Sequence, residues 1–167
     1  TRHYIDKKVD KSLLDEMLLA ANLAPSWKNS QTPRFYVATG EKSKNAVREA
    51  LPEFNRKNSE NASAYIVTTV VLNRSGFDKD GTAVTEIGNG WGYYDLGLNN
   101  MALLLKATEL GISTLVMGIR DGEKLRKEFD IPETEAVVSV IAVGYTDSEI
   151  VRPKRKSVED FSKFYED

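Results

Sequence analysis

The sequence predicts a single domain in which helices cover both faces of a central β-sheet, a three-layer α+β or α/β sandwich. Helix-like and strand-like segments alternate along all 167 residues. Two continuous apolar runs, residues 64–72 and 136–145, are typical of strands that are buried on both faces. Residues 91–110 carry apolar side chains all around a helix, which is typical of a central, buried helix. Because a sheet that is buried on both faces needs a layer on each side, the three-layer arrangement follows.

The first third of the chain alternates between helix and strand. Apolar residues recur at helical spacing behind Asp10, a suitable N-cap, and predict a helix over 11–23 that ends before Pro25. The aromatic and β-branched residues of 34–39 predict a strand, and 41–51 predict a second helix. The apolar run that follows is the first of the two buried strands.

The second half continues the alternation after a long connection. Residues 73–90 are polar, contain glycine and lack a period, and such connections are often functional. Beyond the central helix we predict a strand over 112–117 and a short helix over 121–129. After the second buried strand, Ser157 and Asp160 have the spacing of a capping box and predict a last helix.

Composition excludes several classes of chemistry. The chain contains no Cys and one His, which excludes thiol catalysis, disulfides and a His-rich metal site, and we expect no metal. A net charge of −2 argues against a nucleic-acid-binding protein. No apolar run approaches the roughly 20 residues that span a bilayer, and we expect a cytoplasmic protein without a membrane segment. Without a paired nucleophile, acid or base, an enzyme of this sequence would rely on a bound cofactor.

A basic tail, residues 152–156, is the clearest candidate for an anion-binding segment. It places four cations in five residues directly after the second buried strand. Such a cluster repels itself unless an anion offsets the charge, and arginine binds phosphate in bidentate fashion. A solvated loop is the alternative interpretation, and the spacing alone leaves both open.

A polar loop, residues 25–31, is the second candidate. It combines hydroxyl, amide, lysine and indole side chains. Amides can read the edge of a heterocycle, and an indole can cover an aromatic ring. The alternative is a turn that ends a helix and partly buries its tryptophan. The glycines of 88–92 resemble a nucleotide loop only weakly, because the third glycine of the dinucleotide pattern is misplaced.

Taken together and in order, these segments resemble the FMN-dependent nitroreductase family. The resemblance covers nearly the whole chain, in the segments 1–6, 24–31, 95–97, 110–118 and 144–156. It implies a three-layer α/β/α sandwich with a mainly antiparallel central sheet and a single FMN-binding domain over 1–167. The first arginine of the family's N-terminal motif, which precedes Arg2 by a few residues, is absent from the sequence, and FMN affinity is expected to depend on the remaining cations.

The resemblance also implies a set of FMN-binding residues at a homodimer interface, where two equivalent sites form. Three cations would hold the phosphate, and the polar loop would reach the flavin from the other subunit. Two asparagines would contact the isoalloxazine edge or the ribityl chain, and backbone N–H groups would lie beside flavin N5 and O4. In that order, these residues are Arg2, Lys154 and Arg155; Ser26, Trp27, Asn29 and Gln31; Asn55 and Asn58; and Met117 and Gly118.

The function implied is ping-pong hydride transfer from NAD(P)H through FMN to an electron-poor acceptor, such as a nitroaromatic or a quinone. The flavin carries the chemistry, and no side chain is assigned a catalytic role. Two alternatives remain open from the sequence. One is a non-redox flavin-binding sensor or carrier of the same fold, and the other is an interaction domain whose basic tail binds an acidic protein.

Overall fold

A computed structural model of the chain describes residues 1–149 and 151–166. The helices are α1 (Lys11–Asn22), α2 (Glu41–Glu49), α3 (Glu53–Asn58), α4 (Gly90–Glu109), α5 (Gly122–Glu128) and α6 (Val158–Phe161). The strands are β1 (Pro33–Ala38), β2 (Ala64–Val71), β3 (Ser113–Met117) and β4 (Glu135–Gly144). No helix in the described part of the chain is long and apolar enough to cross a membrane.

The four strands form one sheet in the order β1-β2-β4-β3, and every neighbouring pair is antiparallel. The two predicted buried strands, β2 and β4, are the central pair, with Val67 opposite Val140. Their position explains their composition, because a central strand with helices on both faces has no solvated side.

Side chains alternate between two cores, one on each face of the sheet. Tyr65 and Val67 of β2 face a core that includes Val47 of α2 and Leu125 of α5. The neighbouring Ile66 faces the other core, which is formed with α1 and α4. The α+β class, the three layers and the antiparallel sheet are therefore confirmed.

The predicted helix over 41–51 is present as α2, and a further short helix follows it. Helix α2 ends at Glu49, and α3, which was not predicted, begins after Pro52 with a backbone ψ of 157° at that proline. Proline disfavours helical backbone at the residue before it, which accounts for the break. Asp10 precedes α1 as predicted, but its side chain makes no capping hydrogen bond.

The prediction that α4 is buried all around is wrong for the single chain. Leu96 and Leu103 are buried, whereas Tyr94 and Met101 remain 61% and 51% exposed. Leu105 on the same helix is 58% exposed. The reason is that α1, the sheet and the 3-10 turn at Trp27–Asn29 together cover only part of the helix.

The N-terminal segment lies against the end of β4. The N–H of Ile5 donates to the carbonyl of Tyr145 at 3.0 Å, and Tyr4 is fully buried. A Cβ on Gly144 would lie 2.8 Å from Cδ1 of Tyr4, so this close contact requires glycine. The contact brings the start of the chain next to the point where the C-terminal segment leaves the sheet.

Candidate functional site

The polar loop adopts a backbone that few side chains favour. Trp27–Asn29 form a single turn of 3-10 helix, in which Lys28 has a φ of 45° and Asn29 a φ of 56°. Gln31 has a φ of 48°. Asparagine tolerates this left-handed region, but lysine and glutamine each lose roughly 1–2 kcal/mol there. Three such residues within four positions need contacts from the surrounding structure to hold them.

Asp95 of α4 provides the main contact that holds this loop. Its carboxylate is 2% exposed and accepts the backbone N–H of Trp27 at 3.1 Å from each oxygen. The hydroxyl of Ser26 accepts the backbone N–H of Gln31 at 3.0 Å. The loop is therefore fixed near both of its ends.

Aromatic rings pack beside the polar loop. The ring centroids of Trp27 and Trp91 lie 4.7 Å apart, and those of Trp91 and Tyr94 lie 5.8 Å apart. The indole N–H of Trp91 donates to the hydroxyl of Thr85 at 2.8 Å. Lys28 forms an ion pair with Asp78 at 3.3 Å. These contacts join the loop to the long connection between β2 and α4.

A second group of predicted residues meets at the end of β3. The side-chain amide of Asn55 donates to the carbonyl of Ile119 at 3.2 Å, and Asn55 itself is 7% exposed. Met117 is buried in the core, whereas Gly118 and Ile119 are exposed. A Cβ on Gly118 would meet no atom within 4 Å, so the backbone here faces open space.

Further hydrogen bonds fix the backbone that follows Gly118. The guanidinium of Arg120 donates to the carbonyl of Val137 on β4. The N–H of Asp121 donates to the carbonyl of Ala50 at 2.7 Å. The exposed segment 118–121 is thereby tethered to β4, to α3 and to the residue that follows α2. A rigid and accessible main chain of this kind can present donors to a ligand edge.

Unpartnered polar atoms concentrate in these two groups. Among the described residues, six buried side-chain N or O atoms lack a hydrogen-bond partner. Four of the six belong to the polar loop, its C-terminal continuation or the segment after β3, namely Trp27 Nε1, Ser30 Oγ, Thr32 Oγ1 and Arg120 Nε. Since buried polar groups normally have a hydrogen-bond partner, these atoms require one from outside the chain, such as an ordered water or a ligand.

The predicted phosphate-binding residues lie at the surface. Arg2 is exposed and its guanidinium donates to the carbonyl of Thr1 at 2.8 Å. Lys154 and Arg155 are exposed in a segment without regular structure. The Ile5–Tyr145 bridge places Arg2 and the start of the C-terminal segment at the same end of β4. Asn58 is half-buried at the end of α3.

The two groups lie on opposite faces of the sheet. The polar loop is held by α4, whose Leu103 belongs to one core. Asn55 sits on α3, where Ser59 accepts the hydroxyl of Tyr65 from the other core. The predicted loop residues and the predicted residues around Gly118 thus form two separate groups within one chain, called the two half-sites below. Among the described residues, no group of three or more His, Cys, Asp or Glu side chains is suited to a metal ion.

Residues outside the predicted set turn out to organise both half-sites. Asp95 holds the polar loop, and Ile119 and Arg120 shape the exposed segment. The sequence signal for Asp95 is that it is a single carboxylate in a largely apolar stretch of helix. A carboxylate that is buried there requires hydrogen-bond partners from elsewhere in the chain. The Arg120 contact had no comparable signal, since it depends on the position of β4.

Comparison with known proteins identifies the family. The sequence pattern described as "Nitroreductase family" matches residues 1–145. The chain belongs to the nitroreductase family. A curated relative from Archaeoglobus fulgidus, provisionally named NADH dehydrogenase/NAD(P)H nitroreductase, is 27% identical in an alignment 155 residues long that covers 89% of this chain and 80% of the relative.

Solved structures agree with this membership. A nitroreductase family protein from Streptococcus pneumoniae TIGR4 is 23% identical, with a TM-score of 0.83 over 99% of this chain and 94% of that one. A structure described as an oxidoreductase containing FMN is 25% identical, with a TM-score of 0.76 over 88% of this chain and 72% of that one. The nitroreductase fold and a general role as a flavin oxidoreductase follow from these likenesses.

Proposed function

We propose that this nitroreductase is one subunit of a homodimeric, FMN-dependent NAD(P)H oxidoreductase. The observation that carries the proposal is the exposed backbone at Gly118 and Ile119, which Asn55 fixes from beneath. FMN is suggested by the family and by the FMN-containing oxidoreductase that resembles this chain. The open space beside Gly118 and the unpartnered Nε of Arg120 close to it fit a planar, polar-edged ligand.

The segment after β3 would hold the electron-accepting edge of the flavin. The backbone at Met117 and Gly118 would lie beside N5 and O4, and the amides of Asn55 and Asn58 would face the ring edge or the ribityl chain. Reduction places negative charge on the ring, and preorganised N–H donors stabilise such charge. The chain contributes orientation and charge stabilisation here, and no side chain acts as a catalytic acid.

The polar loop would complete the site from the partner subunit. Within one chain, Ser26, Trp27, Asn29 and Gln31 lie on the opposite face of the sheet from Asn55, which supports a flavin shared between two subunits. Exposed apolar side chains on the adjacent helices support a second copy as the missing partner. They are Leu19, Leu23, Tyr94, Met101 and Leu105. Exposed apolar patches of this kind commonly mark protein interfaces.

Three cations would hold the FMN phosphate. Arg2 lies at the end of β4 from which the C-terminal segment departs, and Lys154 and Arg155 follow in that segment. Each charge-assisted hydrogen bond to a phosphate contributes roughly 1.5–3 kcal/mol. The exposure of all three cations leaves them free to converge on an anion once the dimer forms.

When bound, FMN would supply the redox chemistry, which is ping-pong hydride transfer from NAD(P)H to an electron-poor acceptor. Nitroaromatics and quinones are the acceptor classes that fit this chemistry. The chain's part is to bind the flavin, to leave one ring face open to both substrates in turn, and to stabilise the reduced ring.

Purification and spectroscopy test the proposal. We expect a yellow protein, or a colourless one that turns yellow with added FMN, whose visible band bleaches with NADH or NADPH. Sedimentation should give a dimer. A protein that refuses FMN would overturn the proposal, and a monomer with FMN tightly bound would overturn the shared site. Bound flavin without turnover with any nicotinamide and acceptor would favour a sensor or carrier instead.

A further inference from the structure

We propose that Asp95 is a positioning residue, whose buried carboxylate sets the geometry of the polar loop for the flavin. The inference rests on the proposed function, since it assigns the loop to an FMN site. Asp95 itself is covered by the loop and is 2% exposed, so it acts through the loop rather than by touching a ligand.

Two segments of the chain converge on this one carboxylate of α4. Both oxygens accept the N–H of Trp27 at 3.1 Å, and one of them also accepts the hydroxyl of Ser75 at 2.5 Å. Ser75, which belongs to the long connection between β2 and α4, is fully buried. The carboxylate therefore joins α4, the polar loop and that connection.

The carboxylate is held by neutral donors alone. Among the described residues, Asp95 takes part in no ion pair. Burying a carboxylate without a cation is costly, and only well-placed donors make it tolerable. Hydrogen bonds to an ionised acceptor are about twice as strong as neutral ones, so the loop is tied firmly at this point.

The hydrogen bond between Asp95 and Trp27 lies next to the residues with the least favourable backbone conformation. Trp27 follows Ser26 directly and precedes Lys28 and Asn29, both of which have positive φ. The indole of the same residue packs on Trp91 at a centroid distance of 4.7 Å, so Trp27 is held through both its backbone and its side chain. A loop that is already held in its binding geometry loses less conformational freedom when a ligand arrives, which raises affinity.

Isosteric variants of two buried carboxylates test the role. Asp95→Asn removes the charge but keeps the shape, and Asp95→Ala removes both. Glu135→Gln is the matched control, because Glu135 is 6% exposed and accepts hydroxyl groups from Tyr36 at 3.0 Å and Thr69 at 2.5 Å. Two quantities are measured for each variant: amide hydrogen exchange at Trp27 in protein freed of flavin, and the dissociation constant for FMN.

We expect Asp95→Asn to raise both the exchange rate at Trp27 and the FMN dissociation constant by about 5- to 10-fold, and Asp95→Ala by about 10- to 100-fold. Glu135→Gln should leave both quantities within about twofold of the wild type, whatever stability it loses. If Asp95→Ala does not fold, the comparison of Asp95→Asn with Glu135→Gln alone tests the proposal. The proposal would be overturned if the Asp95 variants kept the wild-type exchange rate and FMN dissociation constant. It would also be overturned if Glu135→Gln raised both quantities as much as the Asp95 variants do.

The two proposals fail in distinguishable ways. If the wild type does not bind FMN, the proposed function falls, while exchange at Trp27 still reports whether Asp95 holds the loop. If the wild type binds FMN and the Asp95 variants bind it equally well, only the positioning role falls. Because the exchange measurement needs no flavin, it tests the hydrogen bond between Asp95 and Trp27 independently of its effect on FMN affinity.

Discussion

The amide of Asn55 donates to the carbonyl of Ile119 at 3.2 Å, a contact between residues 64 positions apart in the chain. It links α3, a helix without a clear sequence signal, to the exposed segment after β3. The amide thus fixes the one stretch of backbone that the proposed function places against flavin N5 and O4.

Asn55→Ala should therefore weaken FMN binding by about 10-fold and lower the free energy of unfolding by about 1 kcal/mol, the usual contribution of one hydrogen bond. FMN titration followed by flavin fluorescence and urea unfolding measure the two effects. Asn45→Ala is the control, since Asn45 is exposed on α2 and is assigned no contact with the flavin. An equal or larger loss of affinity for Asn45→Ala would contradict the importance assigned to the Asn55 contact.

Replacing Lys154 and Arg155 together with alanine should release the flavin. Two charge-assisted hydrogen bonds to phosphate contribute roughly 3 kcal/mol or more, so the dissociation constant should rise at least about 100-fold. The double variant Lys42→Ala and Lys127→Ala removes two other exposed cations and controls for net charge. Tight FMN binding by the double variant at 154 and 155 would mean that other groups hold the phosphate.

Gly144→Ala should destabilise the fold where the N-terminal segment crosses β4. The added Cβ would lie 2.8 Å from Cδ1 of Tyr4 and 3.2 Å from the backbone nitrogen of Ser63. Overpacking of this kind costs about 1–3 kcal/mol, measurable as a lower midpoint in urea unfolding. Gly122→Ala is the control, because its Cβ would make an ordinary 3.8 Å contact with Val137. Equal midpoints for the two variants would count against the close packing.

Stability should fall at alkaline pH, partly because of Tyr4. Burial, and then the neighbouring Tyr65, raise the pKa of Tyr4 well above its ordinary value, against a smaller opposing effect of Arg2. The folded protein thus keeps a proton on Tyr4 that the unfolded chain releases near pH 10. The stabilisation that comes from the protonated, buried Tyr4 is therefore fully present below about pH 10 and is lost progressively as the pH rises above it.

Urea unfolding between pH 8 and pH 11 measures this effect. The drop in the free energy of unfolding should be smaller in Tyr4→Phe than in the wild type, because phenylalanine has no proton to lose. The variant also removes the hydrogen bond from Tyr4 to the carbonyl of Ala142 at 3.3 Å, so the slopes with pH, rather than the absolute values, are compared. Parallel slopes would contradict a buried, neutral Tyr4.

The order of strands and helices could be predicted largely from the sequence because it depends on local patterns. Continuous apolar runs identified β2 and β4, and helical spacing identified α1. The capping box predicted at Ser157 and Asp160 is present at the start of α6. Helix α3 was missed, because its six residues, Glu53–Asn58, are too few to show a helical period.

By itself, the sequence determined the fold class, the ordered motifs of the nitroreductase family and the residue types available for binding an anion and a heterocycle. Only the tertiary structure decided that the polar loop and Asn55 lie on opposite faces of the sheet, that one side of α4 remains exposed, and that Asp95 holds the N–H of Trp27, 68 positions away. Local patterns depend on neighbours along the chain. Contacts such as these depend on how the sheet places distant segments together, which no spacing in the sequence records.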